Sequence, residues 1–139
     1  MKAYVFDANA LVILFENKAG AEKVQKILNQ ANEGHAELYM SAVNAAEVCS
    51  ALWKRHGEAY ARKGIQLILS SPITVLEISI ATAIEAAEIR AKCHTGLGDS
   101  FAASATIAKH ATLVTADSGF RGLESRFKIL WLPSHKSVH

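Results

Sequence analysis

Short β-prone segments alternate with helical segments along the whole chain, and this alternation restricts the possible folds more than any other feature. Strands are predicted at residues 4–6, 37–40, 72–76, 112–115 and 128–132. Helices are predicted between them at 8–16, 20–33, 41–55, 58–70, 80–93 and 99–110. Strands that are connected through helices form βαβ crossovers, so the chain is expected to adopt an α/β fold with a mostly parallel sheet of four to five strands.

One domain accounts for the 139 residues, because no linker or internal repeat interrupts the pattern. We expect residues 1–133 to form this domain and residues 134–139 to be a flexible C-terminal tail. The longest apolar run, 10–15, is far shorter than the roughly 18 residues of a membrane span. The two cysteines do not form a disulfide framework. These features favour a cytoplasmic protein without a membrane segment.

Aspartate is scarce in this chain, since only three of the 13 acidic residues are Asp. Asp7 follows the first predicted strand, Asp117 follows the fourth, and Asp99 begins the helix that leads into the fourth. The carboxyl ends of parallel strands share one edge of the sheet, which is where such sheets bind ligands. We therefore expect the three Asp at this edge. Glu47, which has apolar neighbours and lies one turn into the helix after the second strand, is expected beside them.

Each of these acids also has a purely structural explanation. Asp7 and Asp99 could cap a helix, and Asp117 could form a turn. Asn44 and Glu47 have the spacing of a capping box, in which the Glu would only satisfy a backbone N–H. None of these explanations accounts for four acids at one edge. Neighbouring carboxylates repel one another, so the cluster favours a bound cation, and oxygen ligands suit Mg²⁺ or Mn²⁺.

Four segments together resemble the PIN-domain family, and within it the VapC-like toxin ribonucleases. They cover residues 5–11, 41–48, 97–103 and 113–120, in the order and spacing of the family. The resemblance extends over essentially the whole chain. It implies a three-layer α/β/α sandwich and an endoribonuclease that cleaves RNA phosphodiester bonds to a 5′-phosphate and a 3′-hydroxyl.

The resemblance also implies roles for individual residues. The positions that match the catalytic acidic quartet, which would hold one or two Mg²⁺ or Mn²⁺ ions, are Asp7, Glu47, Asp99 and Asp117. Asn9 matches a polar position that often supports the first Asp, and Thr115 matches the hydroxyl residue two before the last Asp, which can help to hold the metal site. Many relatives carry Ser or Thr directly after the first Asp, where this chain has Ala8, so a hydroxyl group is missing there. No acid of the quartet is missing, and an active enzyme is expected.

An acidic pocket repels RNA unless basic residues guide the backbone. The candidates for this contact are Arg55, Arg62, Lys63, Arg90, Lys92 and Arg121. Trp53 is expected in the core, and none of the six His is expected to have a partner acid. The resemblance further implies a homodimer and a small antitoxin of VapB type, whose C-terminal segment would cross the pocket. The candidate segments for these contacts are 19–31 and 58–69.

Two other functions remain open: a housekeeping PIN nuclease without an antitoxin, and a non-catalytic PIN-like module that binds RNA or protein. A haloacid-dehalogenase-like phosphatase also begins with a strand and an Asp, but it needs a second acid where this chain has Asn9. A receiver-type signalling domain needs an acid pair before the end of its first strand and a phosphoacceptor at a middle strand, which Leu76 and Glu77 do not supply.

Overall fold

Five strands form a single sheet in the order β3-β2-β1-β4-β5 in the computed structural model, which describes residues 1–133. The strands are Lys2–Phe6 (β1), Ala36–Ser41 (β2), Thr74–Leu76 (β3), Thr112–Thr115 (β4) and Ile129–Trp131 (β5). All four pairs of neighbouring strands are parallel. The parallel α/β fold predicted from the alternation of segments is confirmed. The predicted flexible tail, 134–139, lies outside the described residues.

Helices cover both faces of this sheet. They are Ala8–Phe15 (α1), Ala21–Asn32 (α2), Ala42–His56 (α3), Glu58–Ser70 (α4), Ile80–Cys93 (α5) and Leu97–Ala108 (α6), with a 3₁₀ helix at Ser118–Leu123. The hydrophobic core is accordingly divided in two. Val5 and Phe6 are both fully buried but belong to different core clusters, because successive side chains of a strand point to opposite faces. The expected three-layer sandwich is confirmed.

Several boundaries differ from the prediction for identifiable reasons. The sixth helix begins at Leu97, two residues before the predicted start, so Asp99 lies in its first turn and does not cap it. The third strand begins at Thr74 rather than at 72, because Pro72 has no N–H to donate to a neighbouring strand. The expectation that Trp53 lies in the core is wrong: the residue is 44% exposed, and its ring centroid lies 5.5 Å from the guanidinium carbon of Arg62.

Among residues 1–133, no helix is both long enough and apolar enough to cross a lipid bilayer.

A tight contact between α3 and α4 provides a test of this packing. Leu52 is fully buried, and a Cβ built on Gly64 would lie 2.6 Å from its Cδ1 atom. Gly64→Ala should therefore lower the free energy of unfolding by about 1 kcal/mol or more, because overpacking outweighs the gain in helix propensity. Urea denaturation measures the change.

The double variant Leu52→Ala/Gly64→Ala is the matched control, since it removes the side chain that the new methyl group meets. In the Leu52→Ala background, Gly64→Ala should be neutral or stabilising. If Gly64→Ala stabilises the protein with Leu52 in place, the close contact is not a constraint on the helix pair.

Candidate active site

The four predicted acids line one pocket of about 240 Å³ at the carboxyl edge of the sheet. Asp7 directly follows β1, Glu47 lies in α3 after β2, and Asp117 comes two residues after β4. Asp99 reaches the pocket from the first turn of α6. The other residues that line the pocket are Ala8, Asn9, Val12, Asn44, Ala51 and Arg55. The predicted convergence of the acids at one edge is therefore present in the structure.

Asp7 is the most buried acid of the pocket, with 3% of its surface exposed. Its Oδ1 atom accepts a hydrogen bond of 2.9 Å from the backbone N–H of Ala10, which caps α1, and its Oδ2 atom accepts one of 2.5 Å from the Thr115 hydroxyl. Burial raises the pKa of Asp7 to about 7, although both hydrogen bonds oppose this shift. The negative charges of Asp99 and Asp117 raise this pKa further.

Thr115 connects Asp7 to the segment after β4. Besides donating to Asp7, its Oγ1 atom accepts a hydrogen bond of 2.9 Å from the backbone N–H of Asp117. Asn9 holds the same segment, since its Oδ1 atom accepts from the backbone N–H of Ala116 at 2.9 Å. Both predicted supporting residues thus contact the segment that carries the fourth acid. The contact of Asn9 is with this backbone and not with the first acid.

Glu47 is held by a side chain that sequence reasoning assigned only to a helix cap. Asn44 Nδ2 donates to Glu47 Oε1 at 2.8 Å and to the backbone carbonyl of Gly98 at 3.1 Å. The helix cap is Ser41, whose Oγ accepts from the N–H of Val43 at 3.2 Å. The capping-box interpretation of Asn44 and Glu47 is therefore wrong. Asn44 is a buried residue of α3, and its side chain instead connects this helix to the start of α6.

Two glycines make room for the carboxylates, and sequence reasoning did not identify either of them. A methyl group on Gly98 would overlap the carboxylate of Glu47. A methyl group on Gly119 would lie 3.1 Å from both Asp117 Oδ1 and Asp99 Oδ2, so these two oxygens are no further apart than twice that distance. The only sequence signal was that each glycine lies within two residues of a predicted acid. Neither position leaves space for a side chain without displacing a carboxylate.

The donor atoms of this pocket fit a hard divalent cation. The charged ligands that line it are carboxylates, with no His or Cys among the lining residues, and oxygen donors suit Mg²⁺ or Mn²⁺. The carboxylates are not gathered around one point, since no three His, Cys, Asp or Glu side chains within residues 1–133 form a group that could hold a metal ion. The pocket thus has the expected donor chemistry, in an arrangement that does not enclose an ion.

The predicted RNA-binding residues are dispersed, and only Arg55 lines the acidic pocket. Arg62 pairs with Glu58 at 2.7 Å and Lys92 with Glu88 at 3.9 Å. Lys63 and Arg90 each line a different surface pocket. The guanidinium carbon of Arg121 lies 5.7 Å from the centroid of the Trp131 ring. The expectation that no His has a partner acid is wrong, because His56 Nε2 lies 2.8 Å from Glu16 Oε2.

Comparison with known proteins identifies a family and a fold. The family model described as the PIN domain matches residues 4–125. VapBC2 from Rickettsia felis, bound to a promoter DNA fragment, is similar with a TM-score of 0.74 and 19% identity over 94% of this chain and 98% of that chain. Mycobacterium tuberculosis VapC20, a sarcin-ricin loop cleaving toxin, has a TM-score of 0.71 and 13% identity over 89% and 95%.

A toxin-antitoxin complex from Klebsiella pneumoniae is also similar, with a TM-score of 0.64 and 20% identity over 91% of this chain and 95% of that chain. At these identities, the three likenesses establish the shared fold. Comparison of the sequence with curated proteins gave no match.

The raised pKa of Asp7 predicts how the stability of the metal-free protein depends on pH. The folded state keeps the Asp7 proton up to about pH 7, whereas the ordinary pKa of an aspartate side chain is 3.8. The free energy of unfolding should therefore fall as the pH rises from about 4 to about 7. Asp7→Asn cannot ionise, so at pH 8 it should be more stable than the wild type by about 1 kcal/mol or more.

Urea denaturation of both proteins in EDTA, at intervals between pH 4 and pH 8, measures this difference. The advantage of Asp7→Asn should become small near pH 4, where the carboxyl group is protonated in the folded wild type and about half protonated in the unfolded chain. Parallel curves for the two proteins across the whole range would contradict the burial cost assigned to Asp7.

Proposed function

This chain belongs to the PIN domain family, and on that premise we propose that it is a divalent-metal-dependent endoribonuclease that acts as the toxin of a toxin–antitoxin pair. Nuclease activity is the common property of this family. The observation that carries the proposal is that Asp7, Glu47, Asp99 and Asp117 line a single pocket. Structural requirements alone explain two of these acids, since Asp7 and Asp117 also accept capping hydrogen bonds. They do not require that all four acids lie in the same pocket.

The four acids would hold one or two Mg²⁺ or Mn²⁺ ions. A bound divalent cation supplies a water of lowered pKa and offsets the negative charge of the phosphodiester. The chain contributes the orientation of the carboxylates. Thr115 and the N–H of Ala10 hold Asp7 from both of its oxygens, and Asn44 holds Oε1 of Glu47. These hydrogen bonds restrict the side chains of Asp7 and Glu47, and the four carboxylates would have to move closer together to surround an ion.

An apolar groove supports the proposal of an antitoxin partner. A cavity of about 520 Å³ lies between α1, α2 and α4, and its lining includes Leu14, Leu28, Leu67 and Pro72. The helical segments 19–31 and 58–69, which were the candidates for partner contacts, both border this groove. An amphipathic helix of a small VapB-type protein could bury its apolar face there. A homodimer is part of the same proposal, and the exposed side chain of Leu69 on α4 is available for such contacts.

Substitution of single acids tests the catalytic assignment. Asp7→Asn, Asp99→Asn and Glu47→Gln should each lower Mg²⁺-dependent cleavage of total RNA by on the order of a hundredfold, because each removes one charged oxygen ligand. Glu47→Gln is the most specific of the three, since the amide oxygen can still accept the hydrogen bond from Asn44. Gel electrophoresis of RNA, incubated with Mg²⁺ or with EDTA, measures the cleavage.

The alternative functions give different results in related experiments. If wild-type protein binds no Mn²⁺ at millimolar concentration in calorimetry, the non-catalytic module is favoured instead. Induction of the wild type in bacterial cells should arrest growth and induction of Asp7→Asn should not. Cleavage of RNA without growth arrest would favour a housekeeping nuclease. A short upstream reading frame that encodes a DNA-binding protein and relieves the arrest on co-expression would identify the antitoxin.

The close approach of Gly98 to Glu47 predicts a further loss of activity. Gly98→Ala should lower cleavage by on the order of a hundredfold, because the methyl group would displace the Glu47 carboxylate from the pocket. The protein should stay folded, since Ala favours a helix more than Gly does. Cleavage rate and thermal unfolding are measured on the same preparation.

Gly96→Ala is the matched control, because a methyl group at Gly96 meets no atom closer than Asp99 Oδ2 at 3.7 Å, an ordinary contact. This variant should keep most of the wild-type activity. Equal activity of the two variants would show that the position of Glu47 does not limit the reaction.

A further inference from the structure

The pocket that the four acids line extends as a groove between α1 and α3. Ala8 and Val12 line it on α1, and Glu47, Ala51 and Arg55 line it on α3. Residues four apart lie on the same face of a helix, so each set forms a row along the groove. Arg55 therefore lies about two helical turns from Glu47, at the end of the groove remote from that acid.

Glu16, which follows α1, collects three basic side chains at that end of the groove. Its Oε1 atom lies 2.8 Å from Arg55 Nη1 and 3.0 Å from Lys18 Nζ, and its Oε2 atom lies 2.8 Å from His56 Nε2. Burial alone would raise the pKa of Glu16, but hydrogen bonds from His56, Lys18 and Arg55 lower it to about 2. The carboxylate is therefore charged at neutral pH and holds the three basic groups on one point.

The arrangement leaves the basic groups facing solvent. The Glu16 side chain is 9% exposed, whereas those of Arg55, Lys18 and His56 are 49%, 42% and 37% exposed. The carboxylate thus lies beneath these three side chains and does not compete with an incoming anion at the surface. Arg55 contacts Glu16 through Nη1, and a guanidinium carries five N–H donors, so it can bind a second anion at the same time.

Further contacts hold this cluster in place. The rings of His56 and Tyr60 lie 4.5 Å apart, and the Tyr60 hydroxyl donates a hydrogen bond of 2.8 Å to the backbone carbonyl of Phe15. The cluster therefore joins the end of α1, the end of α3 and the start of α4. A rigid set of donors binds an anion with less loss of side-chain entropy than mobile surface lysines would.

We propose that Glu16 is a positioning residue for a second phosphate-binding point, formed by Arg55, Lys18 and His56 at the end of the groove opposite the acids. This inference rests on the proposed nuclease function. The ligand is a phosphodiester of the RNA backbone, at a distance from the bond that is cleaved in the acidic pocket. Because contacts to phosphate carry no base information, this point contributes to affinity and to the direction of the strand, not to base choice.

The substitution Glu16→Gln distinguishes a positioning role from a simple effect of charge, because the two predict opposite changes in RNA affinity. Removal of a negative charge near a bound polyanion should strengthen binding if only net charge matters. If Glu16 positions the basic groups, Glu16→Gln should weaken binding and raise KM by roughly three- to tenfold with kcat nearly unchanged. The probe is a fluorescent single-stranded RNA of about ten nucleotides, measured by anisotropy in EDTA and by cleavage in Mg²⁺.

Glu33→Gln is the matched control, since Glu33 is an exposed acid beside His35 that does not line the groove. It removes the same charge and should leave RNA affinity unchanged or slightly higher. If Glu16→Gln binds RNA as tightly as Glu33→Gln does, the inference is overturned. Thermal unfolding of each variant shows that the comparison is between folded proteins.

Arg55→Gln keeps the inference testable if Glu16→Gln does not fold. It should weaken RNA binding by roughly tenfold at low salt and reduce the slope of log affinity against log salt by about one. If Arg55→Gln has the RNA affinity and the salt dependence of the wild type, and the wild type cleaves RNA, this inference is overturned but the proposed nuclease function is not. A wild type that neither binds nor cleaves the probe would overturn the proposed function, and this inference with it.

Discussion

The hydrogen bond from the Thr115 hydroxyl to the Asp7 carboxylate joins two adjacent strands where they end, and the site is built around it. The same hydroxyl oxygen accepts from the N–H of Asp117, so one side chain connects two acids. Asp7 in turn caps α1 through Ala10. A change at Thr115 would therefore alter the sheet edge, the start of a helix and the candidate active site together.

This arrangement makes the charged form of Asp7 energetically unfavourable. A buried carboxylate with two further acids nearby is unfavourable when charged, and its pKa rises accordingly. A fold selected only for stability would replace such a group by an amide of the same size. An acid at this position agrees with the proposed cation site, because a bound positive charge would offset the repulsion among the acids and the cost of burial. Stability thus favours a neutral side chain at position 7, whereas the proposed catalysis requires a charged one.

Much of this protein could be predicted from its sequence. The alternation of strand and helix segments indicated a parallel sheet, because only crossover connections suit such an order. The position of Asp7, Asp99 and Asp117 relative to predicted strands indicated a shared edge, because parallel strands end on the same side. Glu47 was predicted to join the three Asp because its neighbours in the sequence are apolar and because it matches an acid of the PIN-domain family. These inferences succeeded because they depend on local periodicity and on topology, both of which are encoded in short segments.

Contacts between segments that are distant in the chain could not be predicted from the sequence. Asn44 lies within hydrogen-bonding distance of both Glu47 and the carbonyl of Gly98, 54 residues away, so its role as a clamp could not be read from a capping motif. Glu16 and Arg55 are similarly remote in sequence and meet because α1 and α3 pack side by side. The order of strands and acids along the chain was enough to predict which acids share an edge of the sheet. Packing determined which neutral and basic groups hold them, since side-chain distances depend on how helices dock.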